Sequence, residues 1–559
     1  MTNLRLKYIL FIISTILECN GLIAQSLIDT LNPMTILNTG EYRPTIADAQ
    51  KIDDNPIIND STQKLPIPEY SISSKKINTT FDIEPIVAAK MIGEPLTKLY
   101  NTLVKVGMGT YTSPYGEVWY NNLRSKEYSY GVHLKHLSSS STLKNYGYAG
   151  YSDNEVGVYG KKFLKEHSLI GNIDYTRNVV HFYGYDALLN ELKKDATIQR
   201  FNNITANTEL TSHYTKTDRY SHNVKLSYYN LSDTYKASEN NLKACGFVQT
   251  TISKEVLKLN ASVDYYNYKT EKDTTNNTIV TINPNFIATG DKYRASIGLS
   301  AVLDAFIHEK FYFYPNIDLS YNVFENIIIP YAGASGGLQK NSFKNLTDQN
   351  PFVLSQLKME NSNHKYEVYA GIKGTLSSNI SYNAKASYSE IGNMMLFIND
   401  TTELLANRFN VVYDDAKFLN IKGEITYQDC EKLRINLKGE YFNYKMKTEL
   451  RAWYKPQVEI TLSGNYSLRD KIVAKIDLFY IGNQQAKTFV KDSTTFTGQK
   501  VIAKDLKGIF DANIGAEYRY NKKLGLFINF NNIANFRYYK YSNYPTQKFS
   551  LMGGLSYSF

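Results

Sequence analysis

From about Leu103 to Phe559 the chain keeps to one rule: apolar and polar residues alternate in short runs separated by turn-forming residues. Leu257, Leu259, Ala261, Val263 and Tyr265 oppose Lys258, Asn260, Ser262, Asp264 and Tyr266. Phe510, Ala512, Ile514, Ala516 and Tyr518 likewise oppose Asp511, Asn513, Glu517 and Arg519. A period of two is the signature of a strand with one apolar and one polar face. Two architectures use many such strands: a soluble antiparallel sheet wetted on one side, or a barrel with lipid outside and water inside.

The last run, Phe549 to Phe559, bears on the choice. Phe549, Leu551, Leu555, Tyr557 and Phe559 share one face, and the sequence stops on the aromatic. In lipid an unpaired strand edge leaves backbone groups without partners, so this run is expected to close a barrel by pairing with the strand near residue 103. Leu555, Tyr557 and Phe559 should then face lipid.

Composition agrees with many half-greasy strands. Among 559 residues there are 47 Tyr and 26 Phe but 2 Trp and 14 Pro. After residue 25 no run approaches the roughly 18 apolar residues of a membrane helix. The formal charge is +10, yet Lys and Arg are dispersed without the focused patch that nucleic-acid binding needs. Cys19, Cys245 and Cys430 lie far apart with no ligand spacing, so no metal or other cofactor is expected.

The first hundred residues differ in kind. Arg5 and Lys7, an apolar run from Tyr8 to Leu17, and Leu22-Ile23-Ala24 read as a signal peptide over 1–24. Residues 25–98 hold seven of the 14 prolines and read as an extended periplasmic or lumen segment, with at most one short helix around Ile86 to Met91. Residues 99–559 are then the barrel.

Connections alternate between brief turns, such as Tyr520 to Lys523, and long ones, such as Gly482 to Asp505. Short turns on one side and long loops on the other are what a transmembrane barrel shows. Sorting the segments this way gives about 22 strands, within a range of roughly 16 to 24. Asn407 to Tyr413 alternates like a strand, but counting it would put the short Asp429-Cys430-Glu431 turn on the long-loop side. It is therefore read as part of an outer excursion from about Asn393 to Lys417. The fold expected is an all-β, large antiparallel transmembrane β-barrel.

At Asn531-Asn532-Ile533-Ala534-Asn535-Phe536-Arg537-Tyr538-Tyr539 the chain resembles the penultimate hairpin of TonB-dependent receptors. The ending Tyr557-x-Phe559 resembles the C-terminal signal, here Leu555, Tyr557 and Phe559, that the barrel-assembly machinery reads. The resemblance covers residues 100 to 559 and implies an outer-membrane location. It does not extend to the first hundred residues, where such receptors carry a plug well over 100 residues long.

The expected function is that of a channel or transporter, porin-like or receptor-like, moving a solute across the outer membrane. The alternative is a non-transporting accessory barrel that binds a periplasmic or outer-membrane protein through residues 25–98. An enzyme is not expected, since the histidines are scattered singly and no acid/base constellation recurs. His133 and His136 are close in sequence but point to opposite faces of a strand. Ligand-binding residues are not assigned, although the long loops contain Tyr146, Tyr148 and Phe489.

Overall fold

The structure is a computed structural model and describes residues 98–214, 220–305, 309–401, 405–491 and 499–559. The signal peptide expected over 1–24 and the segment expected over 25–98, its last residue apart, lie outside the described residues.

Twenty-two strands form one antiparallel sheet that closes on itself. The first, Thr102–Gly109, pairs with Ser113–Asn121 on one side and with the last, Ser550–Ser558, on the other. The closing register runs from Leu103↔Ser558 to Gly109↔Met552, so the terminal run closes the barrel as the alternation requires. Phe559 extends the seam, its N–H donating to the Thr102 carbonyl at 2.9 Å. Glycines let the seam close tightly. A Cβ on Gly554 would lie 2.2 Å from the Val106 carbonyl oxygen and 2.4 Å from Cζ of Phe527. The Phe527 ring thus lies over the space that two paired glycines, Gly107 and Gly554, leave open.

The outer surface is a belt of apolar side chains that water would not tolerate. Met108, Ile173, Phe311 and Phe313 are each more than half exposed. Exposed tyrosines bracket the belt. Tyr128, Tyr293, Tyr321, Tyr427, Tyr466 and Tyr518 stand at the short-turn ends of their strands. Tyr175, Tyr228, Tyr265, Tyr388, Tyr441 and Tyr480 stand toward the long-loop ends. Two aromatic girdles around an apolar band mark the thickness of a bilayer. The chain is a transmembrane β-barrel, and exposed tyrosines supply both girdles.

The opposite face is polar. On the first strands Glu117 accepts from the Tyr115 hydroxyl at 2.6 Å and lies 3.1 Å from Nε2 of His133, whose ring stacks on Trp119 at 3.6 Å. His136 instead contacts Asn154 at 2.7 Å, on the face opposite His133 as strand geometry demands. Farther round, Asn260 donates to Oδ1 of Asn283 at 3.3 Å, and Lys385 pairs with Glu367 at 2.7 Å.

One segment corrects the sequence reading. Within Asn407 to Tyr413, read from sequence as part of an outer excursion, residues Phe409 to Tyr413 begin the strand Phe409–Asp429, which pairs with Ile380–Asn399 from Ile380↔Tyr427 to Asn399↔Phe409. The strand count is unchanged because these residues prolong a strand already counted. A register shift between Ile391 and Met394 lets the pair rise beyond the outer girdle as one tall hairpin.

Candidate functional site: the outer loop assembly

Long connections between strands end in open water, where a loop has no lipid to lean on and must find its own core or stay loose. Here the loops find one together. Phe343, Leu346, Leu396, Phe409 and Trp453 have 0 % exposure, and Val353, Ala486, Tyr541 and Tyr544 join them in one cluster. These residues come from segments 340–361, 447–457, 482–508 and 532–549 and from the tall hairpin.

Each loop has a local reason for its shape. In segment 340–361 a short helix, Phe343–Gln349, starts at Ser342, whose Oγ accepts the Asn345 N–H at 3.2 Å. The Glu239 carboxylate, from the tip of the strand Ser238–Ile252, accepts the Phe343 N–H at 2.6 Å and the Tyr229 hydroxyl at 2.6 Å. An anion at a helix N-terminus satisfies donors that have no partner inside the helix. Segment 482–508 holds a hairpin, Gln484–Lys491 paired with Gln499–Leu506. Its Lys487 binds Glu449 at 2.8 Å, and the same carboxylate accepts Nε1–H of Trp453 at 2.7 Å. The buried indole is thereby held by its one polar atom.

The loops also meet across the mouth. Asn407 donates from Nδ2 to the Phe182 carbonyl at 2.8 Å. The Arg408 guanidinium lies over the rings of Phe182 and Tyr235, each at 4.7 Å. The Tyr544 hydroxyl donates to the Asn407 carbonyl, and the Tyr544 ring stacks on Phe352 at 3.9 Å. The Tyr541 hydroxyl donates to the Gln349 carbonyl at 2.7 Å. Phe182 follows the fifth barrel strand and Asn407 the fifteenth, ten strands apart in a ring of 22. These contacts therefore bridge nearly opposite walls.

Burial shifts the titrating groups of these loops. The Tyr544 and Tyr541 hydroxyls are held well above the ordinary phenol range and stay neutral donors. Burial, with help from the Tyr539 hydroxyl 3.2 Å away, pushes Tyr146 up to about 12. Lys540 is pushed the other way, down to about 8, again by burial, and Lys455 is also lowered by burial. What this arrangement does chemically is hold: aromatic faces and neutral donors join separate walls without a covalent link.

The residues named from sequence fall as follows. Leu555, Tyr557 and Phe559 are 48 %, 38 % and 58 % exposed on the outside of the closing seam, remote from the loops. Tyr146 and Tyr148 are engaged with neighbours, Tyr146 with Tyr539 and Tyr148 edge-on to His181 at 4.8 Å. Sequence reading missed the helix, the hairpin and the shared core. The helix left a trace, since Ser342 before Phe343 is an N-cap signal. The core left none, because its members are separated by up to hundreds of residues.

No family model matches the chain, and no curated protein is significantly similar to it in sequence. Solved structures are similar in shape. The FrpB iron transporter from Neisseria meningitidis superposes with a TM-score of 0.64 at 11% identity, over 83% of this chain and 82% of that one. The siderophore receptor PirA from Acinetobacter baumannii gives 0.63 at 10%, over 83% and 81%. The ferripyoverdine receptor of the outer membrane of Pseudomonas aeruginosa gives 0.61 at 12%, over 83% and 72%. At such identities the likeness is one of fold: the barrel resembles those of these iron and siderophore receptors.

Proposed function

We propose that this barrel is a gated transporter that admits a solute through the outer membrane. The observation that carries the reading is the shared core of the outer loops, which joins opposite walls of the mouth where a passive porin keeps an aqueous channel. Fold likeness to iron and siderophore receptors supports the same class without naming the solute. Residues 25–98 keep the reading of a periplasmic or lumen segment, and their removal tests whether they add to the closure of the mouth. Leu555, Tyr557 and Phe559 are assigned the signal for the barrel-assembly machinery, and Phe559→Asp should lower the yield of folded barrel in the outer membrane.

Single-channel recording in planar bilayers tests the transport reading. The full chain should conduct little, and deleting 25–98 together with shortening segment 532–549 should open a large conductance. Silence from every one of these proteins would overturn it.

A further inference from the structure

The outer loops do not share the positive charge of the chain evenly. Segments 447–457, 482–508 and 532–549 carry eleven Lys and Arg against three Asp and Glu. The other seven longer outer loops, 140–150, 182–197, 234–237, 270–273, 305–309, 340–361 and 400–408, carry nine against ten. The topology makes the three basic loops consecutive, since they follow the seventeenth, nineteenth and twenty-first barrel strands. A charge excess that looks dispersed along the sequence is therefore focused on one arc of the mouth.

Few of these cations are neutralised. Lys447 pairs with Asp415 at 2.9 Å and Lys487 with Glu449 at 2.8 Å. Arg451, Lys500, Lys504, Lys507 and Lys548 are exposed, and among the described residues no carboxylate lies within ion-pair distance of them. Lys504 donates to Oγ of Ser542 at 3.3 Å, two residues along the loop from the partly buried Lys540. Lys540 too has no acidic partner among the described residues, and its ammonium lies 5.8 Å from the Tyr541 ring. Nε of Arg537, on the same loop, is buried with no hydrogen-bond partner. A cation held partly out of water without a counter-ion carries a desolvation cost that an anionic ligand offsets.

We propose that this arc is an anion-binding surface, and that the transported solute is a dissolved polyanion bearing phosphate, sulfate or carboxylate groups. The second half rests on the transporter reading; the first does not. Like-signed charges around a low-dielectric mouth raise the local concentration of such a solute. The exposed lysines and Arg451 capture it, and Lys540 and Arg537 supply charge nearer the loop core.

The test uses the full chain in neutral detergent with inorganic tripolyphosphate as probe, read by calorimetry at two salt concentrations. Binding should weaken with salt and fall by about tenfold or more in Arg451→Glu/Lys500→Glu/Lys507→Glu. The control Lys193→Glu/Lys194→Glu, two exposed positions on segment 182–197, should bind like the parent. Equal loss in both variants, or no binding by the parent, overturns the proposal. So does a parent that takes up lipopolysaccharide micelles but not tripolyphosphate, which would make the arc a lipid-phosphate contact. The folded state of each variant is checked by heat-modifiable mobility. Because binding is read without transport, a silent bilayer experiment leaves this measurement standing.

Discussion

Nδ2 of Asn407 lies 2.8 Å from the carbonyl oxygen of Phe182, although 225 residues and ten barrel strands separate them. Asn407 in turn offers its own carbonyl to the Tyr544 hydroxyl, and its neighbour Arg408 covers the Phe182 ring. One short segment thus ties three loops from three parts of the wall.

That junction sets the first prediction. Asn407→Ala leaves the Phe182 carbonyl, part of the same buried junction, without its donor, a loss of about 1–3 kcal/mol. If the closed mouth is the resting state, a cost of that size raises the open population by roughly 5- to 160-fold. Open-time histograms from bilayer recordings should lengthen or multiply accordingly. Unchanged gating would show that the junction does not hold the mouth shut.

Trp453 is fully buried, and its indole N–H is bound to Glu449. Trp453→Ala should weaken the loop assembly by about 3–5 kcal/mol while leaving the membrane-spanning ladder intact. Limited proteolysis should then cut within 447–457 and 482–508 at protease levels that spare the parent, with no change in heat-modifiable mobility. Leu188→Ala, at a position 76 % exposed, should stay within about 0.5 kcal/mol of the parent.

Gly554 faces the Val106 carbonyl oxygen across the closing seam, where an added Cβ would come to 2.2 Å. That neighbour is backbone and hydrogen-bonded, so it has little room to yield. Gly554→Val should lower the folded fraction in the outer membrane, whereas Gly423→Val, where nothing lies within 4 Å of the built Cβ, should assemble normally. Quantitative immunoblots of folded and unfolded bands measure both.

Lys540 carries a pH prediction. Its folded value of about 8 lies below that of an exposed lysine because burial disfavours the ammonium. Between that value and about 10.4 the unfolded loops bind more protons than the folded ones, so stability rises with pH through this window. Below it the full penalty of the buried charge is felt. Hydrogen exchange of 532–549 should slow from pH 7.5 to 9.5 beyond the intrinsic rate correction, by on the order of 1–2 kcal/mol after allowance for partial exposure. Lys540→Met should remove the dependence.

What the sequence by itself determined is the wall. Alternation is a relation between residues two apart, and lipid enforces it everywhere because no backbone group in a bilayer can go unpaired. The number of strands, the pairing of Leu103 with Ser558 and the outward placement of Leu555, Tyr557 and Phe559 all follow from that local rule together with the sorting of short and long connections. The sorting of connections goes astray only at Phe409 to Tyr413, which alternate like a strand: they prolong a strand already counted instead of adding one, and past the girdle, where lipid no longer sets which face is apolar, Phe409 and Val411 turn into the loop core. Only the tertiary structure decided how the mouth is arranged. Trp453, Phe343, Tyr544 and Asn407 carry no shared period, and their meeting depends on which loops the closed ring brings within reach. Charge stands between the two: Arg451, Lys500 and Lys548 lie on successive outer loops, so strand order alone brings them to one arc, and only the folded loops decide which neighbouring cations find an acidic partner.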